Sequence, residues 1–195
     1  MAVQSLSCER TVLCGLSDVY ETPTHGLRSL RARDLGPVNE RLLVHVRLVG
    51  EAAERLMQAY IELGVKFDAR LIELGVAVHD AGKITHPDEL SAPGSMHEPA
   101  GEALLLAHGV QPEVARCCVS LAKWQDADVS FEERSVALAD KLWKGKRVEA
   151  LELRIIDEVA SRLRVSRWDV FAQLDAVFEG VAAGGTERLG RSLGG

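Results

Sequence analysis

Apolar residues that recur at intervals of three and four residues constrain the fold of this chain most strongly. The first run of this kind follows Pro37 and comprises Leu42, Leu43, Val46, Val49, Ala53 and Leu56. This spacing places them on one face of an α-helix and does not fit the alternation of a half-buried strand. Comparable runs continue to about residue 183, separated by glycine, proline and capping residues. The pattern therefore predicts an all-α bundle.

Three segments are predicted along the 195 residues of the chain. Residues 1–36 form a loop-rich N-terminal lead-in of uncertain structure, in which residues 11–20 can be read as a short β-hairpin. Residues 37–183 form the helical domain, which has an ordinary size for one domain. Residues 184–195 are rich in glycine and are predicted to be a flexible tail.

Charge and composition exclude several classes of function. The formal net charge of -6 at pH 7 argues against general nucleic-acid binding, which needs a broad basic surface. The apolar stretches are short and interrupted by charge, so no membrane span is predicted. The first ten residues lack the features of a signal peptide, and the four cysteines lack the spacing of a zinc knuckle. We therefore expect a cytoplasmic protein with buried free thiols.

Four polar residues interrupt otherwise apolar helical surfaces. His79 and Asp80 follow an apolar run, and His45 and Asp140 lie within the apolar patterns of two other helices. Each residue alone is explained as a cap or as a hydrogen-bonded core residue, since unpaired polar groups are costly to bury. A divalent cation explains all four together, because neutral imidazole and ionised carboxylate groups are ligands of transition metals.

The order of these residues resembles the H…HD…D signature of HD-domain phosphohydrolases. His45 matches the upstream histidine, residues 79–83 read HDAGK, and residues 138–141 read LADK. The resemblance covers roughly residues 37–147 and implies an HD-domain helical bundle. It also implies that the metal ligands are His45, His79, Asp80 and Asp140, and that Asp80 steers the attacking water.

The resemblance bears on the number of metal ions as well. Family members with two metals carry further histidines, and His97 matches the first of them. The later ones are expected in a helix that has Leu121 and Ala122 in their place. We therefore expect one divalent transition metal ion per chain (Mn, Fe, Co, Ni or Zn), with His97 facing the substrate or supporting the ligands.

Basic residues near the expected ligands predict contacts with phosphate oxygens. Lys83 is four residues from His79, so a continuing helix would place its ammonium group beside the metal. Lys144 and Arg147 follow Asp140 by four and seven residues, which favours a phosphate site and a solvated helix end equally. The predicted catalytic residues are Asp80 and Lys83, and the predicted substrate-binding residues are Lys83, His97, Lys144 and Arg147.

These residues predict metal-dependent hydrolysis of a phosphate ester by a metal-activated water, with a nucleotide or another small phosphorylated metabolite as substrate. Two alternatives remain open: a nucleotide sensor without turnover on the same fold, and an HD-type oxygenase with a pair of iron ions. The oxygenase would need the histidines that Leu121 and Ala122 replace. The apolar last helix, with Trp168 and Phe171, packs either on the core or on a second subunit, which leaves a homo-oligomer open.

Overall fold

The computed structural model describes residues 39–193, and all regular structure in this part of the chain is helical. The α-helices are α1 (Glu40–Leu63), α2 (Ala69–Val78), α3 (His97–Ala107), α4 (Pro112–Ala115), α5 (Cys117–Ser120), α6 (Phe131–Leu142), α7 (Glu149–Leu163), α8 (Arg167–Ala183) and α9 (Gly185–Leu193). Two short 3₁₀ helices, Ala81–Ile84 and Pro87–Leu90, connect α2 to α3. The predicted all-α class is confirmed for the described residues. The hairpin predicted at 11–20 lies outside them.

Local side-chain signals explain where the first two helices begin and end. The Asn39 side chain accepts the backbone N–H of Arg41 at the start of α1, and Gly64 ends this helix with a φ of 77°. The Asp68 side chain accepts the N–H of Leu71 at the start of α2. Each of these boundaries depends on one residue type at one position.

Helix α6 runs through the centre of the bundle. Ser130 and Glu133 form a reciprocal capping box at its start, and nearly all of its residues are buried. Its buried charges are paired: Arg134 contacts Glu158, and Glu133 contacts Arg116, each at 2.6 Å. The apolar faces of α1, α2, α7 and α8 surround α6 to form the main core. Residues near the end of α6 are therefore held deep in the molecule.

Helix α8 packs on this core. Leu174 and Phe178 are fully buried there, whereas Trp168 is 72% exposed. The apolar side of the helix thus divides between the core and the surface. Among the described residues, no helix is both long enough and apolar enough to cross a membrane.

The C-terminal segment differs from the prediction. A flexible tail is expected over residues 184–195, but Gly185–Leu193 form helix α9. Arg188 is buried and donates to the last carbonyl groups of α6. Arg191 pairs with Glu51 of α1 at 2.6 Å. The glycine content suggested a loose segment, but two spaced arginines attach this helix to its neighbours.

Candidate metal centre

Three separate elements bring the four expected ligands together. His45 lies in α1, His79 and Asp80 follow α2, and Asp140 lies in the last turn and a half of α6. The Nε2 atom of His45 lies 3.1 Å from Nε2 of His79, 3.0 Å from Oδ2 of Asp80 and 3.7 Å from Oδ1 of Asp140. One ligand atom from each of His45, His79 and Asp140 lies within 4.8 Å of the other two. The sequence prediction thus named side chains that lie in one cluster.

The spacing of these donor atoms fits a single transition metal ion. Ligand atoms about 2.1 Å from one ion lie about 3.0 Å apart in octahedral and about 3.4 Å apart in tetrahedral coordination. The separations of 3.0 to 3.7 Å around His45 Nε2 span those values. Two imidazoles and two carboxylates are also a donor set that such ions accept. The residues present therefore fit a divalent transition metal.

The His79 ring is held in the tautomer that a ligand needs. Its Nδ1 lies 2.8 Å from the carbonyl oxygen of Val76, which can only accept, so Nδ1 carries the proton and Nε2 presents a lone pair to the cluster. His79 is buried, and this burial lowers the pKa of the ring below its ordinary value. The ring is therefore neutral at pH 7 and available as a ligand.

Both carboxylates are ionised. Burial alone would raise the pKa of Asp80, but the charges that His79 and His45 carry when protonated, and the ammonium of Lys83, hold it well below its usual range. Burial also opposes ionisation of Asp140, and the neighbouring ammonium groups of Lys141 and Lys144 outweigh it and lower this pKa to about 2. The cluster accordingly presents two anionic oxygen ligands at neutral pH.

Three ammonium groups border these carboxylates. Lys83 Nζ lies 2.6 Å from Asp80 Oδ2, and the Nζ atoms of Lys141 and Lys144 lie 2.9 and 3.4 Å from Asp140 Oδ2. The expected phosphate contacts Lys83 and Lys144 thus lie at the cluster. Lys141 was not singled out in the sequence, because its position next to Asp140 does not reveal which way a flexible side chain turns.

His97 also reaches the cluster, with a carboxylate behind it. Its Nε2 lies 3.4 Å from Oδ1 of Asp80, and its Nδ1 lies 2.5 Å from Oε2 of Glu89. The Glu89 carboxylate also accepts the backbone N–H groups of Met96 and His97 at the start of α3. These hydrogen bonds, above all the one from the His97 side chain, lower the pKa of Glu89. Glu89 had no distinguishing pattern in the sequence, because it lies in an irregular loop.

Trp143, like Glu89, lies at the cluster although no pattern in the sequence indicated it. Its indole N–H donates to Oδ1 of Asp140 at 3.4 Å. Its ring meets the His45 ring edge-on, with 5.1 Å between centroids. The side chain thus contacts one expected ligand from each of two helices. A tryptophan three residues after an aspartate is ordinary helix sequence, so no local signal could have identified it.

Arg147 does not join this group. Helix α6 ends at Leu142, and Gly145 has a φ of 79°, so the seven-residue spacing from Asp140 no longer describes one helical face. The Arg147 guanidinium instead contacts Glu152 at 2.7 Å and Asp175 at 2.5 Å. It lines a cavity of about 580 Å³ between α7 and α8, together with residues such as Trp168 and Phe171. The expectation that the Arg147 side chain lies on the same helical face as Asp140 was therefore wrong.

The cluster combines a largely buried donor set for a cation with several positive groups beside it. A dication bound there would give the site an excess of positive charge, which suits an anionic ligand. Comparisons with protein-family models, with curated proteins and with solved structures found no match to this chain.

Proposed function

We propose that this chain is a metal-dependent phosphohydrolase of the HD superfamily. The observation that carries the proposal is the meeting of His45, His79, Asp80 and Asp140 at separations of 3.0 to 3.7 Å around His45 Nε2 and His79 Nε2. Their order along the chain is the order of the H…HD…D signature, and three separate elements contribute them. One divalent transition metal ion is the proposed cofactor.

The chemistry proposed is attack of water on phosphorus, with the ester oxygen leaving as an alcohol. When bound, the metal ion supplies an acidified water and polarises a phosphoryl oxygen. The two oxygens of Asp80 have different neighbours: Oδ2 faces His45 and Lys83, and Oδ1 faces His97. Asp80 can therefore serve as a ligand with one oxygen and orient the water with the other. This is the catalytic role proposed for it.

Lysine side chains are the proposed phosphate contacts. The ammonium groups of Lys83 and Lys144 lie 2.6 and 3.4 Å from the carboxylates of Asp80 and Asp140, and that of Lys141 lies 2.9 Å from Asp140. Charge builds up on the phosphoryl oxygens as the ester bond breaks, and such fixed cations stabilise it. A small phosphorylated metabolite or nucleotide is thus the proposed substrate class.

A second candidate function is the oxygenase with a pair of iron ions. It is favoured by His97, whose Nε2 lies 3.4 Å from Asp80 Oδ1, so that Asp80 could bridge two ions. It is disfavoured by Leu121 and Ala122, which offer no ligand where further histidines would be expected. Iron content combined with oxygen consumption distinguishes this candidate from the hydrolase.

The decisive experiment is a substrate panel with metal-stripped full-length protein. Nucleoside monophosphates, a nucleotide diester and sugar phosphates are each incubated with Mn, Co, Ni, Mg or Zn, and released phosphate or nucleoside is measured. We expect turnover that requires added metal and is lost in D140N, which keeps the size of Asp140 but removes its charge. Tight nucleotide binding without turnover under every metal would instead identify the sensor, and D140N activity equal to wild type would refute the proposed site.

A further inference from the structure

Helix α9 contributes a buried arginine to the end of helix α6, which carries Asp140. Arg188 is 6% exposed. Its Nε donates to the carbonyl oxygen of Trp143 at 2.7 Å, and its Nη2 donates to that of Leu142 at 3.3 Å. The same Nη2 also contacts the carbonyl oxygen of Val181 in α8. These three partners are all backbone oxygens, so the guanidinium joins three helices without a carboxylate.

These contacts have a physical reason. The last carbonyl groups of an α-helix have no partner within the helix, and they carry partial negative charge. The carbonyl of Leu142 already accepts the backbone N–H of Gly145 at 2.9 Å, so Arg188 adds a second donor there. At the carbonyl of Trp143 it supplies a donor together with a compensating cation. Burial of a guanidinium costs free energy unless its N–H groups are hydrogen-bonded. The three carbonyl partners therefore favour one position of the Arg188 side chain. Arg188 therefore fixes where the backbone of α6 ends.

The beginning of α9 also fits closely against the turn that follows α6. Gly145 adopts a φ of 79° in that turn, and a Cβ atom added to Gly185 would collide with the Gly145 backbone. Such close approach requires glycine. The turn carries Lys144, whose ammonium lies 3.4 Å from Asp140 Oδ2. Packing of α9 thus holds the turn after α6, and Lys144 in this turn faces the cluster of expected ligands.

From these contacts we infer that Arg188 is a positioning residue for the metal centre, acting through Trp143; the inference rests on the proposed function. Arg188 holds the Trp143 carbonyl, and the Trp143 indole contacts Oδ1 of Asp140 and the ring of His45. A shift of the Trp143 backbone would move both contacts together. Loss of a side chain that contacts and orients metal ligands, as Trp143 does for Asp140 and His45, typically lowers metal affinity about tenfold to a hundredfold.

A plain helix cap would make the same backbone contacts, so the test must report on the site itself. Cobalt(II) binding to metal-stripped full-length protein serves this purpose, because the visible spectrum of cobalt depends on the geometry of its ligands. The variants are R188M, which keeps an unbranched chain without donors, and R188K, which keeps the charge. R191M is the matched control, because Arg191 lies on the same helix and attaches it to Glu51 of α1.

We expect R188M to bind cobalt about tenfold to a hundredfold more weakly than wild type, with an altered spectrum. R188K should recover part of this loss, and R191M should stay within about twofold of wild type. Folding of each variant is checked by circular dichroism. A folded R188M with the affinity and spectrum of wild type would reduce Arg188 to a helix cap, and R191M weakened as much as R188M would show that only the docking of α9 matters.

A second variant keeps the inference testable if R188M does not fold. W143F retains a ring against His45 but removes the indole N–H that faces Asp140. We expect a changed cobalt spectrum and weaker binding, and a W143F protein identical to wild type would break the link and refute the inference. Wild-type protein that binds no cobalt would overturn the proposed function as well, whereas normal wild-type binding with unaffected variants overturns this inference alone.

Discussion

Asp80 contacts both an expected ligand and two of the expected substrate-binding residues, Lys83 and His97. One of its oxygens faces His45 and Lys83, and the other faces His97. Its pKa lies well below the usual range for an aspartate despite burial, because interactions with His79, His45 and Lys83 favour the ionised form. A single carboxylate thus links the expected ligands to the expected substrate contacts.

Replacement of Asp80 by alanine should therefore abolish both metal binding and turnover. The change removes one ligand and leaves Lys83 without its partner, so we expect metal affinity to fall by more than about a hundredfold. Elemental analysis and the phosphate-release assay measure the two effects. D88A serves as the control, because Asp88 is exposed on the same connection between α2 and α3. Unchanged metal content and activity in D80A would remove Asp80 from the site.

Replacement of Lys83 by alanine should lower the rate of hydrolysis but leave metal binding unchanged. Its ammonium lies 2.6 Å from Asp80 Oδ2 and is the proposed phosphate contact. Loss of such a contact in the transition state typically costs about 2 to 4 kcal/mol, which is roughly a thirtyfold to thousandfold lower rate. Metal content should stay near that of wild type. K66A is the control, since Lys66 is exposed and lies before α2, at the opposite end from His79. Loss of metal in K83A would show that Lys83 supports the ligands instead.

Single residues also show what the sequence could and could not predict about the site. His45, His79 and Asp140 could be found because each interrupts an apolar helical pattern, and burial of a polar group needs an explanation. Trp143 and Glu89 could not, because their roles depend on which element packs beside them. Arg147 was misplaced because its position was extrapolated along a helix that ends at Leu142.

At the scale of elements, the close fit between the 3₁₀ helix Ala81–Ile84 and α3 holds the two sides of the site together. The first carries Lys83, and the second begins with His97. Gly82 is buried at their contact, where a Cβ atom would collide with the carbonyl oxygen of His97 and the backbone of Gly101. A glycine is required here by the distance between two backbones.

A G82A variant should accordingly be destabilised and impaired. The added methyl group must push the 3₁₀ helix and α3 apart, and overpacking of this kind typically costs about 1 to 3 kcal/mol. Urea unfolding measures the change. G180A is the matched control: Gly180 lies within α8 with open space around the site of a Cβ, so alanine should be neutral or stabilise by up to about 1 kcal/mol. Equal stability of G82A and wild type would contradict the close contact.

Helix boundaries were predictable where one residue type decides them. Asp68 caps α2, and Ser130 with Glu133 forms the capping box of α6, and both are signals that lie within a few residues of sequence. Helix α9 was missed because its stability comes from Arg188 and Arg191 contacting distant helices, which local glycine content does not report. Contacts with distant helices, and not the local sequence, therefore explain why α9 is helical.

For the molecule as a whole, the packing of α6 in the centre of the bundle places two ionised carboxylates in its interior. Asp140 is 7% exposed and Asp80 is 6% exposed, and both remain ionised through nearby cations. A metal ion shared by α1, α2 and α6 would further stabilise the folded state, because its ligands are brought together only by folding. Metal binding at the proposed site and packing of the bundle should therefore stabilise each other.

The number of divalent metal ions per chain tests this arrangement most directly. It is measured by elemental analysis of full-length protein purified without added metal, with H79A as the comparison. The proposal assigns His45, His79, Asp80 and Asp140 to one ion, so the ratio should be about one in wild type and near zero in H79A. A ratio near two, with His97 as a ligand in a crystal, would contradict the single-metal site and favour the two-metal alternatives. A wild-type ratio near zero, even after dialysis against manganese or zinc, would contradict the metal centre itself.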